Sequence, residues 1–168
     1  KNAKGLNVYF SDVQLNSSDK LFIYSPDQQT VLGAFTLANN DDFLATGFVP
    51  GSQIIIEFNT QNNSQILPFQ IDEIGVSVLG LTRTERGYGD SDDCEIPVNC
   101  PEGDDWKDQR NSVARILVSE GTSLFWCSGS LMNNTNLDGT PYLLTAKHCG
   151  ETSNEEDYSK WVFYFNFQ

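Results

Sequence analysis

Nowhere does this sequence run to the ~20 consecutive apolar residues that a membrane helix needs. Its longest apolar stretches, such as Gln53-Ile54-Ile55-Ile56-Glu57-Phe58, are strand-sized. Basic residues are scarce: 10 lysines and arginines face 23 aspartates and glutamates, a formal net charge of -13. Such a surface repels polyanions, so neither nucleic acid nor an anionic membrane is expected as a partner. Histidine occurs once, at His148, beside Cys149, and no Cys-x-x-Cys is present. A structural zinc site is therefore poorly supplied with ligands, and neither metal nor cofactor is expected. Lys1-Asn2-Ala3-Lys4 is basic, but no apolar segment follows it as in a signal peptide. The expectation is that a signal was removed or the sequence trimmed.

Four cysteines are present: Cys94, Cys100, Cys127 and Cys149. An even number in a small Asn-, Ser- and Gly-rich chain points to an oxidising location, secreted and extracellular or periplasmic. Three pairings of four cysteines are possible, and spacing does not choose among them.

Up to about residue 81 the chain reads as all-β. Short runs rich in β-branched and aromatic residues recur: Leu6–Phe10, Leu21–Ser25, Val31–Thr36, Phe43–Phe48, Gln53–Asn59, Ile66–Ile71 and Val76–Leu81. Turn formers such as Ser25-Pro26-Asp27 and Pro50-Gly51-Ser52 separate them. Strands at this spacing predict a small antiparallel β-sandwich, assigned here to residues 1–86. Thr82 to about Glu95 is polar and glycine-bearing, like a linker, a processing region or a surface loop. Residues 87–168 form the second predicted domain, with strands at Val113–Ser119, Ser123–Met132, Tyr142–Ala146 and Trp161–Phe167. No helix-period stretch stands out. The aromatic strand Trp161–Phe167 needs a neighbour, so further chain is expected to follow Gln168.

The chemistry concentrates in Trp126-Cys127-Ser128-Gly129-Ser130-Leu131 and Leu144-Thr145-Ala146-Lys147-His148-Cys149. An apolar strand delivers the histidine at its end, next to a cysteine, with another cysteine on an earlier strand. A Cys127–Cys149 bridge would close a short loop, contribute about 3 kcal/mol if unstrained, and hold His148 in place. A general base needs that first, because proton transfer depends on position before pKa.

Cys-x-Gly-Ser-Leu followed by Thr-Ala-x-His-Cys resembles the first barrel of chymotrypsin-clan, trypsin-like serine proteases. More narrowly, the sequence is similar to the bacterial lysyl endopeptidase group. Cys94–Gly103 carries its C-x5-C-P-E-G opening, Ser130–Thr135 lies in its Gly-Ser-Leu-x-Asn-Asn-Thr segment, and Tyr142–Gly150 carries its histidine block. The likeness covers roughly residues 88–168. It implies that this region is part of a chymotrypsin-like β-barrel and that His148 is the catalytic base. It also implies that Cys127 and Cys149 form the local disulfide. Cys94 and Cys100 match cysteines whose family partners lie downstream; here they are expected to be unpaired, bridged to each other, or bridged to a further portion. The family's aspartate, nucleophilic serine and specificity pocket fall after Gln168, so this chain alone is expected to be inactive. Residues 1–86 match the β-rich segment preceding the protease in some secreted relatives, with Arg83 and Arg86 as candidate maturation sites.

Plainer readings stand beside these. Gly89-Asp90-Ser91-Asp92 lacks the glycine that follows a serine nucleophile and precedes the histidine, against the clan's order. Ser128 and Ser130 are expected to pack rather than react. The disulfide reading displaces a cysteine nucleophile at Cys127. The acidic residues Asp90, Asp92, Asp93, Glu95, Glu102, Asp104 and Asp105 have no EF-hand spacing and read as a solvated face. The sequons at Asn16, Asn62 and Asn133 mark exposed positions. Trp126, Trp161, Phe163, Phe165 and Phe167 read as core. The expectation is a zymogen-type secreted serine endopeptidase acting on protein or peptide substrates, with the remaining part of the protease as a candidate partner. Its rival is a non-catalytic binding or inhibitory module of propeptide type.

Overall fold

The computed structural model describes residues 3–61, 66–78, 96, 98 and 100–166. The chain divides into two compact units, Lys1–Leu81 and Thr82–Gln168. The predicted 86/87 boundary lies outside the described residues. The architecture is all-β, with every strand pairing antiparallel. Among the described residues no helix is long and apolar enough to cross a membrane.

The first unit contains two sheets. One is built on β1 (Gly5–Val13), which is flanked on one side by β4 (Asp41–Ala45) and β5 (Val49–Pro50), and on the other by β7 (Gln70–Ser77). The other has the order β3-β2-β6, from Val31–Phe35, Lys20–Tyr24 and Ile55–Asn59. Strand residues alternate between faces, so Val8 and Phe10 of β1 reach one core with Leu21 and Ile23 of β2, Val49 and Phe69. Phe69 makes edge-to-face contacts with Phe10 at 5.3 Å and Phe58 at 5.5 Å. Where β4 gives way to β5, buried Thr46 replaces the missing ladder. Its Oγ1 accepts from Val8 N at 2.9 Å and donates to Val8 O at 2.8 Å. The separate runs Ile66–Ile71 and Val76–Leu81 meet only through Gln70–Ile71 and Val76–Ser77 in one continuous strand, β7, while Ile66–Phe69 precede it outside any strand. Its alternation continues through Gly75, which pairs with Asn7. Ile71, Ile74 and Val76 on it are about half exposed.

The second unit is one four-stranded sheet, β10-β9-β8-β11, and the described residues do not close a barrel. Its strands are β8 (Val113–Glu120), β9 (Ser123–Met132), β10 (Tyr142–Thr145) and β11 (Val162–Phe165). A tight hairpin at Gly121 joins β8 to β9, with φ +54° at the glycine, in the left-handed region favoured by residues without a Cβ. Two short helices accompany the sheet: α1 (Lys107–Ser112) leads into β8, and α2 (Glu155–Ser159) precedes β11. Neither was expected from apolar periodicity, because each is barely over a turn.

Register fixes the faces. Ile116 lies opposite Cys127 and Phe163, while Arg115 lies opposite Ser128 and Tyr164. Ile116 and Val118 pack with Cys149 and Trp161, supported by Phe125, Cys127 and Leu143. The reading of the aromatic strand as core holds for Trp161, which is 9% exposed, but not for Phe163 and Phe165, which are 43% and 41% exposed. Trp161 sits under α2; the two phenylalanines lie farther along a strand whose outer side has no described neighbour.

Candidate active site

His148 is carried on a single 3₁₀ turn, Lys147–Cys149, that begins where β10 ends. Both flanks of the turn are fixed. Upstream, Thr145 pairs with Gly129, and its hydroxyl donates to Ser128 O at 2.7 Å. The glycine is required there. A Cβ on Gly129 would stand 2.8 Å from Leu143 Cδ2, 2.9 Å from Leu144 O and 3.0 Å from Ile116 Cδ1. Downstream, Cys149 is joined to Cys127 of β9 by a disulfide with Cα atoms 6.2 Å apart. Cys149 is 1% exposed and belongs to the core cluster. Its amide donates back to Ala146 O at 3.0 Å, closing the turn.

The next residues add a second anchor. Gly150 O accepts from the Tyr158 hydroxyl at 2.9 Å, and a Cβ on Gly150 would meet the Tyr158 ring at 3.0 Å. Tyr158 packs on Trp161, whose indole N–H donates to Ser119 O at 3.2 Å. The α2 helix begins with a reciprocal cap: Asp157 N donates to Asn154 Oδ1, and Asn154 N donates to Asp157 Oδ2, both at 3.0 Å. Asp157 Oδ1 also accepts from Gly121 N at 2.9 Å, tying the helix to the hairpin. The backbone N–H of Asn154, then that of Gly121, holds the Asp157 carboxyl below the ordinary carboxylate range. Between β9 and β10, the Asn134 amide and then Thr140 hold Asp138 down to about 2.

Within this frame the His148 side chain is exposed, and its nearer ring nitrogen lies within 4.8 Å of both disulfide sulfurs. Among the described residues, Cys127, His148 and Cys149 are the one group close enough for joint metal ligation. Both sulfurs are consumed by the disulfide, which leaves no thiolate to bind zinc. The arrangement presents an imidazole to solvent from a turn that is held on both sides, as proton transfer requires. Lys147 forms an exposed ion pair with Glu151 at 2.8 Å, of a kind that contributes little to stability.

The other singled-out residues separate. Cys100 is a free, partly buried thiol. Cys94, Arg83, Arg86 and Ser91, with Asp90, Asp92, Asp93 and Glu95, lie outside the described residues. Glu102, Asp104 and Asp105 are exposed on a 3₁₀ turn. Ser130 Oγ is 3.2 Å from Ser112 Oγ, a contact between β9 and α1. Asn16 and Asn133 are exposed, and Asn62 lies outside the described residues. The Tyr158–Trp161 anchor was not anticipated. The signal for it was Asn154-Glu155-Glu156-Asp157, a capping box with aspartate in the third position.

The described part of this unit is thus a disulfide-stapled antiparallel sheet that holds one histidine at a strand end. Residues 88–168 match the family model described as lysyl endopeptidase, C-terminal domain. That match supports a relation to the lysyl endopeptidase group and makes this a protease-related domain. No solved structure matches the chain.

Proposed function

We propose that this chain is part of a secreted serine endopeptidase in which His148 is the general base. The observation that carries the reading is the coincidence of the family match over residues 88–168 with the geometry at His148. The histidine is solvent-facing and stands between a side-chain hydrogen bond at Thr145 and the disulfide at Cys149. In the reaction, a serine hydroxyl attacks a peptide carbonyl and His148 takes its proton. The same imidazolium then protonates the leaving amine, and water releases the acyl group. A carboxylate orients the ring. The resemblance gives this sequence only the histidine of that triad, so residues 1–168 alone are expected to be inactive. The relatives' name makes a lysyl bond the first substrate to try. Arg83 and Arg86 are proposed maturation sites.

The test is hydrolysis of a lysyl peptide amide by the protein as secreted from its source organism, wild type and His148→Ala. The variant is expected to lose at least ~10³-fold in kcat. Equal activity in both, or failure of a serine-directed phosphonate to label the wild type, removes the reading.

One observation favours the second reading, a binding or inhibitory role for residues 1–86. The first unit holds its own core between two sheets. Inhibition of the mature enzyme by the added 1–86 fragment, with a saturating dose response, is its expected signature.

A further inference from the structure

Strand β7 is the outermost member of its sheet, and among the described residues no strand pairs with its far side. Its side-chain direction follows from its register on β1. Val76, Ile74 and Ile71 stand opposite Leu6, Val8 and Phe10, and Val8 and Phe10 belong to the core between the sheets. Residues directly opposite one another share a face. The three apolar side chains of β7 therefore lie on the inward face, yet each is about half exposed. The direction of its backbone groups follows from Thr46. Val8 N donates to Thr46 Oγ1 at 2.9 Å, and Val8 O accepts from Thr46 N at 3.1 Å. Both groups thus face away from β7, and Val8–Ile74 is a non-hydrogen-bonded pair. Such pairs alternate with bonded ones in an antiparallel ladder. Glu73 and Gly75 accordingly bond to β1, while the N–H and C=O of Ile74 and Val76 project from the outer edge.

We infer that the outer edge of β7 pairs with β7 of a second copy of this chain, antiparallel about a twofold axis at Gly75. In that register Ile74 of each copy exchanges both backbone bonds with Val76 of the other, so every projecting group is used. Gly75 meets its own mate in the close, non-bonded pair between them, where a residue without a side chain admits a second backbone. The inward apolar row then runs on from one copy to the next. Charge selects the same arrangement. Asp72 stands near the start of β7, and exposed Lys4 lies beside its end, with Lys4 N donating to Ser77 O at 2.7 Å. Antiparallel pairing sets the acidic end of each β7 against the basic end of the other. Lys4 is then two strand spacings, about 10 Å, from the partner strand, and the two side chains narrow that gap from both sides. Parallel pairing would set acid on acid, and a uniformly basic foreign strand would meet Lys4 at one end. The net charge of -13 per copy opposes association, but exposed charges beyond about 8–10 Å are screened at physiological salt. The register shift opposite Tyr9–Phe10 ends the regular edge at Glu73, so the contact is short and the association weak. It involves the first unit only and does not rest on the peptidase reading.

The test is amide hydrogen exchange in the 15N-labelled full chain at physiological salt, at low and at high protein concentration. Ile74 and Val76 are expected to exchange at least about tenfold more slowly in the concentrated sample, while Gly75, already bonded to β1, keeps one rate. Lys4→Glu and Asp72→Lys are each expected to lose that protection, because each sets like charges together at both ends of the pair. Mixing labelled Lys4→Glu with unlabelled Asp72→Lys puts opposite charges together again and is expected to restore it, a rescue that a misfolded variant would not give. Exchange at Ile74 and Val76 that is independent of concentration overturns the inference, as does protection that survives both single variants. A mixture that stays unprotected overturns the antiparallel register. Protection gained only on adding the peptide acetyl-Lys-Val-Thr-Val-Lys-amide assigns the edge to a foreign strand and likewise overturns pairing with a second copy.

Discussion

The two units are both antiparallel and all-β, but they are secured differently. In the first, two sheets close on one apolar core, and β1 is buried along most of its length. In the second, a single sheet keeps a small cluster around Ile116, Val118 and Trp161, and a disulfide passes through it. The first unit is held by buried area. The second is held by a cross-link, a capped short helix and a few directed hydrogen bonds, all converging beside His148. A sheet with little core can still fix one residue well if its constraints are placed next to that residue.

This contrast can be broken from either side. The largest effect is expected from Phe10→Ala, which removes a ring that is 0% exposed from between the sheets. Emptying such a site costs about 3–5 kcal/mol, read as lost amide protection in β1 and β2 in a urea series. A cost below about 1 kcal/mol would mean that area is not what holds this unit. Next comes the disulfide. The double variant Cys127→Ala, Cys149→Ala is expected to lose about 3 kcal/mol in the second unit, with the fastest new exchange at the ends of β9 and β10. Unchanged protection there would show that the bridge is ornamental and that α2 alone fixes the turn.

The smallest effect is an acid one at Asp157. Its folded pKa is depressed, chiefly by the backbone N–H of Asn154. The stability it contributes is therefore present above the unfolded value of about 3.9 and is lost as pH falls through the folded one. Amide shifts of Gly121 and Asn154, followed from pH 6 to 2, should move together with a midpoint below 3.9. A midpoint at or above that value would remove the cap from the account of how α2 is held.

Strand identity was legible in the sequence wherever apolar residues alternated, as in Val113–Ser119 and Ser123–Met132. So was the histidine block, because the spacing of Thr145, His148 and Cys149 is local. Three things were not legible. The continuity of β7 was hidden by Gly75 and by isoleucines that lie half exposed on an outer strand, so their pattern carried little burial signal. The short α2 helix has no apolar stripe, and its only sequence mark is its cap. The cavity that Arg110 of α1 and Arg115 of β8 help to line depends on the change from helix to strand at Val113, and no linear pattern encodes that meeting.

The turn that carries His148 behaves as a replaceable cartridge. Thr145 and Cys149 are fastened to the sheet, and Gly150 is fixed by contacts that a larger side chain would disturb. Between them, Ala146, Lys147 and His148 are exposed; the Ala146 and Lys147 carbonyls close the turn, and the Lys147 side chain makes a surface ion pair with Glu151. Chemistry at this position is thereby uncoupled from foldability. Other side chains can be installed at 148, by mutation or by evolution, without rebuilding the mount, so a change in reactivity there reports on the group itself.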